Sequence, residues 1–155
     1  MRKNRNYKRD HKPDAKYGSV TAARFINYIM KDGKKTIAEK VFYDALDEIT
    51  KRTKQDGMEV FEKALENVTP KQEVFSKRVG GANYQIPRDV RPERQFILAS
   101  RWILTAARSK KGKALAQILA DELLAAYNNE GDAIKKKQDV HRMAEANRAF
   151  AHFAR

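Results

Sequence analysis

The stretch that most limits the fold is residues 73–92, EVFSKRVGGANYQIPRDVRP, which carries the only convincing strand signal in a chain that otherwise reads as helix. Two short runs with β-branched and aromatic members flank Gly80-Gly81, a pair able to supply the positive φ angles of a hairpin turn. Ala82-Asn83 follows, so the connection is two residues or four. One hairpin among helices leaves no βαβ pattern and therefore no parallel sheet. The predicted architecture is mainly α: a six-helix bundle-like domain with an inserted, protruding two-stranded β-hairpin at about 73–90, preceded by a basic N-terminal tail.

The two runs alternate imperfectly. Phe75, Lys77 and Val79 share one face and Val74, Ser76 and Arg78 the other, so neither face buries wholly in a core. Pro87 lacks an N–H and fits an outer edge or a strand end. A lone two-stranded ribbon is marginal in water. With Lys77, Arg78, Tyr84 and Arg88 around the Gly80-Gly81 turn, it reads as an arm held by an anionic partner. The alternative is a hairpin folded back on the body with its basic residues solvated.

Apolar spacing places the helices. Ser19 can cap a helix to about Lys31, stopped by Asp32-Gly33. Residues 34–53 put Ile37, Ala38, Val41, Phe42, Ala45, Leu46 and Ile49 along one side, and a shorter helix after Gly57 ends before Pro70. Pro92 suits the first turn of a helix over 92–109, where Trp102 reads as a core anchor rather than a base-stacking platform. Residues 113–129 form the next helix. A final one starts near Asp132, a candidate cap, with Val140, Met143, Ala144 and Phe150 on its apolar side. The first sixteen residues are almost bare of aliphatic side chains and are expected to be disordered when free, leaving residues 17–155 as a single domain.

Charge separates framework from binding surface. The formal net charge of +13 is unevenly spread: residues 1–33 carry net +6, 71–113 net +8 and 132–155 net +3, whereas 34–70 and 114–131 are net −1 and −3. Such blocks point to a polyanion-binding surface. In the tail the candidates are Arg2, Lys3, Arg5, Lys8, Arg9 and Lys12, and Lys34 and Lys35 follow the Asp32-Gly33 stop. Arg94, Arg101 and Arg108 are spaced by seven, nearly one azimuth of a helix, with Arg91 upstream and Lys110, Lys111 and Lys113 downstream. Acids are nearly absent from 94–113, which favours binding over a solvated face neutralised by ion pairs. The last helix adds Lys136, Lys137, His141, Arg142 and Arg148.

Several chemistries have no support. There is no phosphate-binding loop of the G-x-x-x-x-G-K-[ST] form. The three histidines lie apart without a third ligand for zinc, and the chain has no cysteine. The acids cluster outside the basic segments, so no enzyme and no cofactor are expected. Apolar runs are too short for a membrane span, the N-terminus lacks a signal-peptide core, and a cytoplasmic setting is expected. A long basic tail, a β-arm and two basic helical patches suit a folded RNA better than a DNA groove. A free nucleic-acid-binding translational or transcriptional regulator is the rival reading.

Residues 77–92 (KRVGGANYQIPRDVRP), 99–108 (ASRWILTAAR) and 139–152 (DVHRMAEANRAFAH) together resemble the small-subunit ribosomal protein seven family, bacterial type. Residues 25–46 and 64–74 resemble it too, and the likeness runs in order from about 12 to 155. Lys77 stands where arginine is common and Phe153 where tyrosine is usual. The resemblance implies a structural component of the small ribosomal subunit that binds the 3′ major domain of its rRNA first and nucleates head assembly. It implies that the tail and the body face, including Lys35, Arg94, Arg101 and Arg108, contact rRNA. The 78–84 hairpin region would approach exit-site tRNA and mRNA, and the helix around His141, Arg142 and Arg148 a platform protein. Neighbouring head and platform proteins are then the partners, with no membrane and no homo-oligomer.

Overall fold

The computed structural model describes residues 11–154. Among them the order is α1 (Val20–Ile29), α2 (Lys35–Thr53), α3 (Gly57–Val68), β1 (Gln72–Val79), β2 (Ala82–Asp89), α4 (Pro92–Ser109), α5 (Leu115–Tyr127), α6 (Asp132–Ala146) and a 3-10 helix, Arg148–Ala154. Local chemistry sets three of the helix starts. The Ser19 hydroxyl accepts from the Ala22 N–H at 3.3 Å, the Asp56 carboxylate caps α3 through the Met58 N–H, and Pro92 opens α4.

The helical body packs around Phe25, Phe42 and Phe61, all fully buried, with ring centroids 5.0–5.8 Å apart. Helix α5, with Leu119 and Leu123 fully buried, lies against α2, α3 and α4. Gly57 sits where α3 crosses α2: a Cβ there would come 2.7 Å from the Leu46 carbonyl oxygen. The hairpin and α6 attach to one side of this body, α6 packing on β1 and α4.

The ribbon is antiparallel, with Val79 opposite Ala82 and Gln72 opposite Asp89. That register makes the turn two residues, Gly80 (φ +57°) and Gly81 (φ +93°), and removes the four-residue option. Each strand is an edge of a two-stranded sheet, so Pro87 costs no interior ladder bond. Only the root is buried: Ile86 is fully enclosed and Glu73 nearly so, while Gly80, Gly81 and Arg78 are exposed.

Three expectations need correction. The C-terminal helix does not run on to Arg148 and Phe150, which makes seven helical segments rather than six. Asn147 closes α6 by donating both its backbone N–H and its Nδ2 to the Met143 carbonyl. In the tighter helix that follows, side chains three apart eclipse, and Phe150 and Phe153 stack at 6.4 Å. Asp132 is the first helical residue rather than the cap. Gly131, at φ +91°, precedes it, and the buried Glu122 carboxylate of α5 accepts the Ala133 N–H at 3.1 Å. Ile37 and Met143, placed on apolar faces by spacing, are 58% and 43% exposed, because each lies at the rim of its helix's stripe. Trp102 is half-buried against the core.

Before α1, Asp14 is buried. Its carboxylate accepts from the Lys16 and Tyr17 N–H groups and, at 2.7 Å, from the Tyr43 hydroxyl on α2. Burial and this carboxylate push the Tyr43 hydroxyl up to about 12. The docked chain thus reaches back beyond residue 17.

Candidate nucleic-acid interface

Helix α4 holds its three arginines on one exposed edge, but they are not equivalent. Arg94 donates from Nε to both carboxylate oxygens of Glu73 at 2.8 Å. Arg108 donates to the Ile29 carbonyl at 2.9 Å, at the C-terminal end of α1, where a cation complements the helix dipole. Arg101 is exposed and has no partner among the described residues. The same holds for Arg91, Lys111 and Lys34. Two of the three stripe residues therefore also tie elements together, and Arg101 alone has its whole guanidinium facing solvent.

Downstream, Lys110 donates to the fully buried Glu122 at 2.6 Å and Lys113 reaches Asp121 at 3.3 Å. The carboxylate partner raises the Lys110 ammonium above its ordinary value despite desolvation. Arg52 and Lys113 meet on Asp121; burial pushes that carboxyl up, but the two cations win and hold it below its ordinary value. Lys35 has a loose contact with Glu39 at 3.8 Å. Lys34 and Arg108, with Lys31, rim a cavity of about 220 Å³ floored by Ile29, Ile37 and Leu115.

At the hairpin, Arg78 projects near the tip without a partner among the described residues. Lys77 donates to the Phe153 carbonyl at 2.8 Å, and Tyr84 packs against Phe150 and Phe153, each 5.2 Å away. The 3-10 helix thus clasps the face of the ribbon that carries Lys77 and Tyr84. Arg88 pairs with Glu73 at 2.6 Å and lies 4.8 Å over the Phe75 ring.

Lys136 on α6 is exposed, while Arg142 on α6 and Arg148 at the start of the 3-10 helix make open contacts with Asp139 and Glu145 at 3.5 and 3.4 Å. Lys137 donates to the Asn67 carbonyl at 2.6 Å, at the end of α3. The His141 Nε2 accepts the Lys71 N–H at 3.1 Å. Desolvation, then Lys137 and Lys71, push His141 below its ordinary value. Lys12 is exposed, and Arg2, Lys3, Arg5, Lys8 and Arg9 lie outside the described residues.

Among the described residues no group of three metal-ligating side chains is placed to hold an ion, and no helix is long and apolar enough to cross a membrane. What the surface offers is a run of arginines and lysines on α4, the hairpin and α6.

The sequence matches the family described as ribosomal protein S7p/S5e over residues 1–148. The chain belongs to the ribosomal protein S7p/S5e family. It is 56% identical over 153 residues to the small ribosomal subunit protein uS7 of Thermotoga maritima, covering 99% of both chains. Against uS7 of Desulfatibacillum aliphaticivorans it is 54% identical, with 94% of each chain covered. Against that of Chloroflexus aurantiacus it is also 54% identical, over 92% of this chain and 91% of the relative.

In this S7p/S5e chain the matched family span ends at Arg148, so Phe150 and Phe153, which close the clasp, lie just past it. Sequence reasoning passed over Glu73, Lys31 and Asp14. Glu73 alone left a readable sign: it is one of only three acids among residues 71–113, with eleven bases around it.

Proposed function

We infer that this chain is a structural, rRNA-binding component of the small ribosomal subunit and not an enzyme. Within that role it binds the 3′ major domain of the rRNA early and nucleates assembly of the head. Family membership carries this reading, and the charge on α4 supplies its physics. Arg91, Arg101 and Lys111, with Lys34 and Lys35, neutralise phosphates, and the counterions released make the affinity steeply salt-dependent. Arg94, Arg108, Lys110 and Lys113 meet the same RNA with the donors that their intramolecular bonds leave over. The tail from Arg2 to Lys12 extends that contact.

The tip of the hairpin, with Arg78, Gly80 and Gly81, faces exit-site tRNA and the mRNA path, with Lys77 and Tyr84 behind it and Arg88 on the same ribbon at its root. The C-terminal side, with Lys136 and Arg142 on the outer face of α6, Lys137 and His141 where α6 meets the body, and Arg148 at the start of the 3-10 helix, faces RNA and a platform protein. The chain acts as a monomer within the cytoplasmic ribosome. Binding one folded arrangement of the RNA more tightly than others shifts the RNA population toward it, which is how a protein without catalysis directs assembly.

The test is a titration of folded 3′ major-domain rRNA at several salt concentrations, with scrambled RNA and duplex DNA as competitors. Tight 1:1 binding that survives competition is expected, together with a loss of roughly tenfold or more for Arg101→Glu. Equal affinity for all three polymers would overturn the ribosomal reading in favour of a free regulator.

A further inference from the structure

Among the described residues, Glu73 is the only carboxylate bonded to two guanidinium groups. It points from β1 on the same side as its cross-strand partner Arg88 and meets Arg94 from the first turn of α4. Arg94 uses only its Nε, leaving both Nη groups without a partner among the described residues. Arg88 uses Nε and one Nη, and its plane is also fixed by the Phe75 ring beneath it. The Glu73 side chain is 8% exposed, whereas those of Arg88 and Arg94 are 47% and 49% exposed. The carboxylate is therefore a foundation under two forks whose outer edges face solvent.

Stability alone does not account for this arrangement. A buried ion pair gains little over packed apolar side chains, and one carboxylate between two guanidiniums leaves a surplus positive charge. What the arrangement does secure is orientation, since planar guanidiniums recognise phosphate through paired N–H groups. Burial alone would push the Glu73 carboxyl up, but Arg94 and Arg88 outweigh it and keep it below its ordinary value, so the foundation stays charged at neutral pH.

We propose that Glu73 is a positioning residue that holds Arg88 and Arg94 as a two-fork clamp for phosphodiester groups of rRNA where the hairpin meets the body. This rests on the rRNA-binding reading above.

The experiment uses the full chain and folded 3′ major-domain rRNA, comparing the natural sequence with Glu73→Gln, Arg88→Lys and Arg94→Lys by affinity and by phosphate-ethylation interference. Simple electrostatics predicts tighter binding for Glu73→Gln, because the net charge rises by one. The clamp predicts the opposite sign: specific affinity falls roughly tenfold, while binding to scrambled RNA holds or strengthens. Interference should vanish at the same few phosphates in all three variants. Specific binding by Glu73→Gln as tight as the natural chain's, or interference weakened evenly along the RNA, would overturn the clamp. If Glu73→Gln does not fold, the two lysine variants decide: losing the same phosphates supports the proposal, and losing none overturns it. A natural chain with no preference for this RNA would overturn the rRNA reading, and the clamp with it.

Discussion

The helical body and the ribbon with its C-terminal clasp are held by different forces. The body is joined by apolar burial: Phe25, Phe42 and Phe61, all fully buried, meet ring to ring, and α5 is inserted among its neighbours. The ribbon is fastened at separate points. Ile86 and the Glu73 pairs fix its root, His141 and Lys137 tie α6 to the segments beside it, and three aromatic rings hold the clasp. Apolar burial is non-directional and cooperative, whereas point fastenings can open one at a time. A body of the first kind makes a rigid platform, and an arm of the second kind can adjust to a partner without unfolding it.

The largest expected effect lies in the body. Phe42→Ala leaves a cavity among the three rings and should cost about 3–5 kcal/mol, a large share of a domain's stability of roughly 5–15 kcal/mol. Urea unfolding followed by circular dichroism and by Trp102 fluorescence should show both transitions moving down together. If the two probes separate, the body is not one cooperative unit.

A smaller effect is expected in the clasp. Tyr84→Ala removes both ring contacts to the 3-10 helix, each aromatic pair being worth about 0.5–1.5 kcal/mol. Amide exchange should speed up across residues 148–154 and the outer ribbon, with α1 to α5 unchanged. Should Tyr84→Ala shift the global midpoint as far as Phe42→Ala does, the contrast between platform and arm fails.

This contrast also explains what the sequence made legible. Spacing found the body, because a period near 3.6 is the signature of a helix with one buried face, and Ser19, Pro92 and the Gly80-Gly81 pair carry their geometry in their own chemistry. It misplaced Ile37 and Met143, since spacing gives the direction of a stripe but not the width that neighbours cover. It could not find the fastenings. Glu73 with Arg94, Glu122 with Ala133 N–H and Asp14 with Tyr43 join residues from different elements, and nothing in either local segment announces the other. The break after Ala146 was hidden for the same reason. An Asn side chain and a distant Tyr84 end the helix, where composition alone reads on. The basic candidates were visible as residues, but which of them are already engaged inside the molecule was not.

The smallest expected effect separates the two regions by pH. His141 can accept the Lys71 N–H only while its Nε2 is unprotonated. Burial, Lys137 and Lys71 all disfavour the charged ring, so the folded protein binds this proton less readily than the unfolded chain does. The contribution to stability is therefore fully present above the unfolded value of about 6.5 and is lost as pH falls below it toward the depressed folded value. Native-state NMR should show the Lys71 amide moving with a midpoint below about 6.5, accompanied by faster exchange where α6 meets β1. Amides around Phe25, Phe42 and Phe61 should stay still over the same range. Replacing His141 with Gln keeps a side-chain acceptor but removes the titration, so the Lys71 shift should become flat. A Lys71 amide that still titrates in His141→Gln would mean that another group governs this junction. Core amides that move in step with it would mean that the junction and the body open together, and the arm would lose its independence.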